Sequence, residues 1–287
     1  MKIGISGASG QLGKAVLEEI AARSADVKLV GISRTPGTLA ASVESRLGDY
    51  DRPETLASAY AGLDRLLLIP SSDLRKGVRG TQNVAAIDAA VAAGVKHIVL
   101  MSALGTRERE EPAIGASYWV GEQRLIKTAP AWTIVRMSYY AEAFVQEAQM
   151  SAGAGVLTGL GENKVSYVSR DDIAAAVAGV LIGDGHVGAI YSATGPKSFT
   201  GAERAAAATK SIGKTFGFAV LTEEQLRDGM AQAGLPDDVV NAIASIQADF
   251  VAGAFDVVTG DVERLSGRAQ KTLHEVLSAL SSTKAKP

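Results

Sequence analysis

Lys2-Ile3-Gly4-Ile5-Ser6 runs directly into Gly7-Ala8-Ser9-Gly10-Gln11-Leu12-Gly13, after which Lys14 to Ala22 continues with apolar residues at helical spacing. A short apolar strand, a glycine-rich turn and a helix in that order open a βαβ unit. The pyrophosphate of a dinucleotide needs backbone N–H groups close at hand at a helix N-terminus, where unpaired donors and the helix dipole favour an anion. Glycines remove the Cβ atoms that would block the approach. The GxxGxxG spacing predicts Gly7 at the tight turn, Gly10 at the closest approach and Gly13 at the helix-to-strand contact, with Ser9, Gln11 and Leu12 completing the cradle.

Working outward, short apolar runs alternate with longer Ala-rich amphipathic segments through the first half of the chain. The predicted strands are Lys2 to Ser6, Val27 to Ser33, a weak Glu44 to Leu47, Leu66 to Pro70, Lys96 to Ser102 and Trp132 to Met137. The predicted crossover helices are Leu12 to Ser24, Pro53 to Tyr60, Gly80 to Ala93 and Tyr118 to Thr128. This alternation gives an α/β fold: a Rossmann-type doubly wound parallel sheet with helices on both faces.

Past Ala141 the rhythm loosens. Gly153 to Gly161 reads as turn-rich, Lys164 to Ser169 as a strand, and Arg170 to Ile182 as a buried helix capped by Asp171 or Asp172. Ala189 to Ser192 and Phe216 to Leu221 read as strands. Thr200 to Ser211, Thr222 to Ala233, Pro236 to Phe255 and Val262 to Leu280 read as helices, and Ser281 to Pro287 as a frayed polar tail. The expected division is a cofactor-binding domain over 1–150 and a smaller α/β substrate subdomain over 151–287, with a soft boundary across which segments interleave.

Composition narrows the function. The 287 residues carry 29 Lys and Arg against 31 Asp and Glu with no basic block, which argues against nucleic acid as a partner. There is no cysteine, which excludes thiolate nucleophiles, disulfides and Cys-ligated metals and suits a reducing compartment. Three sequence-distant histidines, His97, His186 and His274, do not make a metal centre or a triad. No stretch is long and apolar enough for a membrane span, and the N-terminus has no secretory pattern, so a cytoplasmic protein without a membrane partner is expected. The sequence leaves room for a homo-oligomer.

The second strand should end beside the adenosine ribose. A carboxylate there would accept from the ribose hydroxyls of NAD and repel the 2′-phosphate of NADP. The chain instead has Ser33-Arg34, about twenty residues after the last glycine of the turn. A guanidinium can hold a phosphate by two hydrogen bonds or stack on adenine, so NADP(H) is the expected cofactor. Lys14 and Arg52 could assist. Asp49-Tyr50 could border the adenine, and Ile69-Pro70-Ser71-Ser72 ends the fourth strand on the ligand side of the sheet.

At these residues the chain resembles the NmrA-like group of atypical short-chain dehydrogenase/reductases, which includes NADPH-dependent quinone oxidoreductases and triphenylmethane reductase. The resemblance covers nearly the whole length. It is carried by the glycine turn, the Arg34 position, Gly48-Asp49-Tyr50, Leu66 to Ile69 followed by Ser71-Ser72, Asn83-Val84, Ala92 to Ile98, and Arg136 followed by Tyr140. It implies a Rossmann domain with bound NADP(H), a small C-terminal substrate domain and a cleft between them.

Typical members of the wider superfamily use a Tyr and a Lys four residues later as proton donor and its electrostatic partner. Here the corresponding Tyr is Tyr118 and position 122 is Glu, as in the group resembled. Ser102 stands where the superfamily places a substrate-binding Ser. Met137 replaces the Asn that usually follows the sixth-strand Arg. Without a Tyr-Lys pair, the reaction should be one that hydride donation drives with little protein acid, and reduction of a quinone or similar electron-poor aromatic meets that condition. Tyr118, Ser102 and Tyr140 are the candidate catalytic residues, with Tyr139 and Tyr140 as aromatic walls and Phe144 behind them. The competing expectation is a regulator that senses NADP(H) through a protein partner and turns nothing over.

Overall fold

Strands that bury both faces of a parallel sheet need apolar residues at consecutive positions, and the inner strands have them. The computed structural model describes residues 1–283. Its first half runs β1 (Lys2–Ser6), α1 (Gln11–Arg23), β2 (Lys28–Ser33), β3 (Glu44–Leu47), α2 (Leu56–Tyr60), β4 (Arg65–Leu68), α3 (Val78–Ala92), β5 (His97–Ala103), α4 (Ile114–Thr128) and β6 (Trp132–Met137). Then follow β7 (Tyr139–Tyr140), α5 (Ala141–Ser151), β8 (Val156–Gly159), β9 (Val165–Val168), α6 (Arg170–Ile182), β10 (Ala189–Ala193), β11 (Ser198–Phe199) and α7 (Gly201–Ile212). The chain closes with β12 (Gly217–Val220), α8 (Glu223–Gln232), α9 (Asp237–Val251), α10 (Asp261–Ser266) and α11 (Leu273–Thr283).

The large sheet has seven parallel strands in the order β10-β6-β5-β4-β1-β2-β3. Alternation along each strand divides the core. Ile3, Ile5, Leu67, Val99 and Val135 face α1 and α6, while Val30, Ile32, Leu66, Leu68, Ile98 and Leu100 face α2, α3 and α4. Each such side chain contributes about 1.5 to 3 kcal/mol by leaving water. A third cluster, around Phe144, Tyr167 and Phe250, fills a smaller layer built on the β11-β9-β7 and β12-β8 sheets. Residues beyond 150 serve both layers, since β10 extends the large sheet and α6 packs on α1, while β8, β9, α7 and α9 build the small layer. Among the described residues no helix is long and apolar enough to cross a membrane.

Several expectations need correction. Ser169 caps α6, its hydroxyl accepting from the Asp172 N–H at 3.1 Å. Asp171 and Asp172 lie inside the helix and are turned to Lys271 instead. The segment from Val262 to Leu280 is two helices, because Gly267 adopts a left-handed conformation (φ 72°) that ends α10. The turn-rich Gly153 to Gly161 contains β8, whose partner strand β12 lies far along the sequence. α5 had no clear sequence signal. Of the expected tail, Ser281 to Thr283 complete α11, and Lys284 to Pro287 lie outside the described residues.

Candidate functional site

From β1 the chain steps to β2 and β3 on one side, then returns to β4 on the other, so a crevice opens beyond the ends of β1 and β4. Parallel sheets bind their ligands at such a reversal of strand order. Gly7 stands at its floor. Its φ of 90° is open to glycine, and a Cβ there would lie 3.1 Å from the Ile69 Cβ. Gly13 is held more tightly, since a Cβ would come 2.3 Å from the Gly7 carbonyl oxygen and 2.8 Å from the Ala8 Cα. The third glycine therefore lets the helix close on the turn itself rather than on the strand. The N–H groups of Gly7 and Ala8 donate to Ile32 and tie the turn to β2. Gly10 opens α1 with no side-chain cap, and the first turn holds no acid. Such a start leaves backbone donors and a positive dipole end for an anion.

A cavity of about 360 Å³ occupies the crevice. Gly7, Ser9 and Gly10 line it from the first turn, Arg34 from the end of β2, Asp49 from beyond β3, and Ser71 and Ser72 from beyond β4. Gln11, Leu12 and Gly13 begin α1 just behind this wall, with Leu12 buried in the core. Arg34 is exposed and makes no hydrogen bond or ion pair among the described residues. Asp49 is engaged. Its carboxylate accepts from Arg52 at 3.2 Å and from the Asp51 N–H at 3.1 Å.

Asp51 and Gln82 carry no signal in the sequence. Gln82 donates to Asp51 at 2.7 Å and accepts from the Ser71 hydroxyl, so it braces the β3 and β4 ends of the cavity. Only the fold brings these residues together. Tyr50 donates its hydroxyl to the Ile69 carbonyl at 3.0 Å, and burial pushes its phenol up to about 12. It stays protonated at neutral pH and holds the β4 loop as a donor.

The expected catalytic residues fall into two settings. Tyr118 on α4 is 9% exposed, with the Arg79 guanidinium 5.2 Å from its ring centre. Tyr140 has Arg170 over its ring at 5.5 Å. Burial, and secondarily the neighbouring Tyr118, raise the Tyr140 phenol well above its ordinary range. Ser102, by contrast, is fully buried. It donates to Glu122 at 2.6 Å and lies 3.3 Å from the Thr106 hydroxyl. Glu122, also buried, accepts from Arg136 through both Nε and Nη2. The residue in the place of a lysine is thus an acid that ties β5, α4 and β6 together.

Tyr139 and Phe144 face away from this region. Tyr139 packs edge-on against Phe250 at 5.3 Å, and Phe144 lies 5.0 Å from Tyr167, both inside the small layer. Of the three aromatics, Tyr140 alone neighbours Tyr118. Adjacent positions on the short strand β7 point to opposite sides, which separates Tyr139 from Tyr140. Each histidine has a local partner: His97 with Thr133 at 2.9 Å, His186 with Tyr191 at 2.9 Å, and His274 with Ser211 at 3.1 Å.

Comparison with known proteins agrees with this geometry. Quinone oxidoreductase 2 of Escherichia coli (strain K12) is 32% identical over 283 residues, 97% of this chain and 98% of that protein. NAD(P)H azoreductase of Xenophilus azovorans is 32% identical over 248 residues, 84% of this chain and 83% of that protein. The crystal structure of the NADPH-dependent quinone oxidoreductase of Escherichia coli complexed with NADPH superposes with a TM-score of 0.89 at 31% identity, covering 97% of this chain and 99% of the other. A family model described as NAD(P)H-binding matches residues 7–183. With the glycine turn, the uncapped α1 and the cavity at the strand-order reversal, this match establishes that the chain belongs to the NAD(P)H-binding family.

Proposed function

We propose that the protein is an NADPH-dependent reductase that passes a hydride to a quinone or a similarly electron-poor aromatic acceptor. The observation that carries the reading is Arg34, a guanidinium in the wall of the crevice over the glycine turn that is unpaired among the described residues. A free cation at the end of the second strand suits the 2′-phosphate of NADPH. In this reading the backbone of Gly7, Ser9, Gly10, Gln11 and Leu12 receives the pyrophosphate, and Gly13 allows the close turn. Arg34 holds the 2′-phosphate, with Asp49 and Tyr50 bordering the adenine. Ser71 and Ser72 flank the nicotinamide half.

Bound NADPH supplies the hydride. The chain's own task is to orient the acceptor and exclude water, and Tyr118 and Tyr140 are the phenols assigned to the acceptor side. Ser102, with its hydroxyl committed to Glu122, is a positioning residue in this scheme. Residues 1–150 carry the cofactor, and the small layer, built from β7, α5 and later elements, closes the acceptor side. The similarity to a quinone oxidoreductase and an azoreductase supports flat, electron-poor acceptors. A cysteine-free chain that draws on reduced NADPH suits the cytoplasm.

The test is to follow NADPH absorbance with a panel of benzoquinones, naphthoquinones and azo dyes against a no-enzyme control. Turnover with NADPH preferred over NADH is expected. Saturable NADPH binding with no turnover on any acceptor would overturn the reductase reading in favour of a cofactor-sensing regulator.

A further inference from the structure

Resting on the reductase reading above, we infer that Arg79 is a catalytic residue, its guanidinium stabilising the negative charge that gathers on an acceptor oxygen as the hydride arrives. Arg79 lies in the first turn of α3 and is only 5% exposed. Its Nε donates to the Ser71 carbonyl at 2.9 Å, and its guanidinium carbon lies 5.2 Å from the centre of the Tyr118 ring. Neither terminal nitrogen donates to a protein acceptor among the described residues, and no carboxylate pairs with it there.

Of the acids around it, Asp73 feels its charge across space and Asp238 lines the same small cavity, but neither forms an ion pair with it among the described residues. Asp73 is gripped by Arg75 through Nε and Nη2 at 2.5 to 3.1 Å. Glu111 accepts from the Gly77 N–H at 3.1 Å, and Glu122, one turn beyond Tyr118, is taken up by Arg136 and Ser102. Arg79 is thus a nearly buried cation whose terminal nitrogens have no protein acceptor among the described residues, which leaves them for an anion that develops on a ligand.

The position is the right one for such a charge. Ser71 follows β4 and lines the cofactor cavity, and Tyr118 neighbours Tyr140 on β7. Arg79 therefore bridges the cavity wall and the acceptor side beyond the strand ends. In the reaction, quinone, NADPH and one proton become hydroquinone and NADP+. The hydride bonds to one quinone oxygen, the ring's electrons shift to the opposite oxygen, and the resulting hydroquinone monoanion takes the one proton there from solvent. A planar guanidinium with two unspent nitrogens can donate to that oxygen in the transition state, which makes a dedicated protein acid unnecessary.

The experiment compares the unaltered protein with Arg79→Met and Arg79→Lys on substituted benzoquinones whose hydroquinones differ in acidity. For each, kcat, KM, the NADPH Kd and the urea midpoint are measured. Removing one such donor is expected to lower kcat by roughly 10²- to 10³-fold in Arg79→Met. The loss should grow as the hydroquinone becomes less acidic, with the NADPH Kd and urea midpoint unchanged. Arg79→Lys and low-millimolar guanidinium added to Arg79→Met should each restore part of the rate.

An equal loss on every acceptor, or one that tracks the Kd or the midpoint, would mean that Arg79 only staples Ser71 to Tyr118, and the inference would fall. Should Arg79→Met not fold, the slope against acidity in Arg79→Lys decides the matter: steeper than the unaltered slope supports the role, unchanged refutes it. Full activity in Arg79→Met overturns the role of Arg79 alone, whereas absence of turnover in the unaltered protein overturns the reductase reading with it.

Discussion

Glu122 of α4 holds Arg136 of β6 by two hydrogen bonds, 2.9 Å from Nε and 2.5 Å from Nη2, and accepts a third from Ser102 of β5. The acid is 1% exposed, and its carboxylate holds the Arg136 guanidinium above its ordinary range. Where the wider superfamily keeps a lysine for chemistry, this chain keeps a carboxylate for architecture. Glu122→Gln should cost about 3 kcal/mol, the low end for breaking a buried pair, because Arg136 retains some contact with water. Urea unfolding measures it. A loss below about 1 kcal/mol, the worth of a surface pair, would show that the clamp is not structural.

Arg34 offers the clearest cofactor test. Arg34→Ala is expected to weaken NADPH binding by about 1 to 3 kcal/mol, the range for a hydrogen bond to a charged group, and to leave NADH nearly unaffected. Titration calorimetry with both nucleotides reads the difference. Equal losses would remove the phosphate from Arg34.

Gly13 has no room for a methyl group, since its Cβ would stand 2.3 Å from the Gly7 oxygen. Gly13→Ala should therefore push α1 off the turn. The expected result is at least a tenfold rise in the NADPH Kd, about 1.4 kcal/mol, and a loss of stability in the range of about 1 to 3 kcal/mol for overpacking. Unchanged binding would mean that the turn does not cradle the cofactor.

Tyr118→Phe separates two kinds of chemistry. A positioned general acid contributes about 10²- to 10⁴-fold, whereas an aromatic wall loses little with its hydroxyl. If hydride transfer needs no protein acid, turnover should change by less than about tenfold relative to that range. A thousandfold collapse in a stopped-flow assay would identify Tyr118 as the proton donor.

Glu147 on α5 predicts a pH dependence of stability. Burial raises its carboxyl from the ordinary 4.5 to about 7, with the Arg204 cation offsetting part of the shift. Between those two values the folded protein binds more protons at this group than the unfolded chain does. Stability from this group therefore falls as pH rises from about 5 to about 7. Glu147→Gln should remove that slope and stabilise the protein by about 1 to 3 kcal/mol at about pH 8. Urea midpoints across the range test it, and an unchanged slope would rule Glu147 out.

The cofactor half of the site was largely legible because its signals are local. The glycine turn, the strand before it and Arg34 at the end of the second strand are each set by a few consecutive residues. The acceptor half was less so. Tyr118, Tyr140 and Ser102 stood out by position, yet Ser102 proved to be committed to Glu122, and Tyr139 and Phe144 belong to the core of the small layer. Gln82 and Asp51 carried no sequence signal, because a brace across the cavity exists only once α3 lies beside the end of β3.

By itself the amino-acid order determined the alternation of strands and helices, the apolar stripes that bury both faces of the sheet, and the turn that suits a pyrophosphate. Those features repeat over two or four residues, so neighbours along the chain suffice to specify them. Only the tertiary structure decided that β10 joins the large sheet, that Tyr139 and Tyr140 part company, that Glu122 locks onto Arg136, and that Arg79 lies between Ser71 and Tyr118. Each of these depends on contacts between residues distant in sequence. Such contacts are set by how the layers pack and which buried charges find partners.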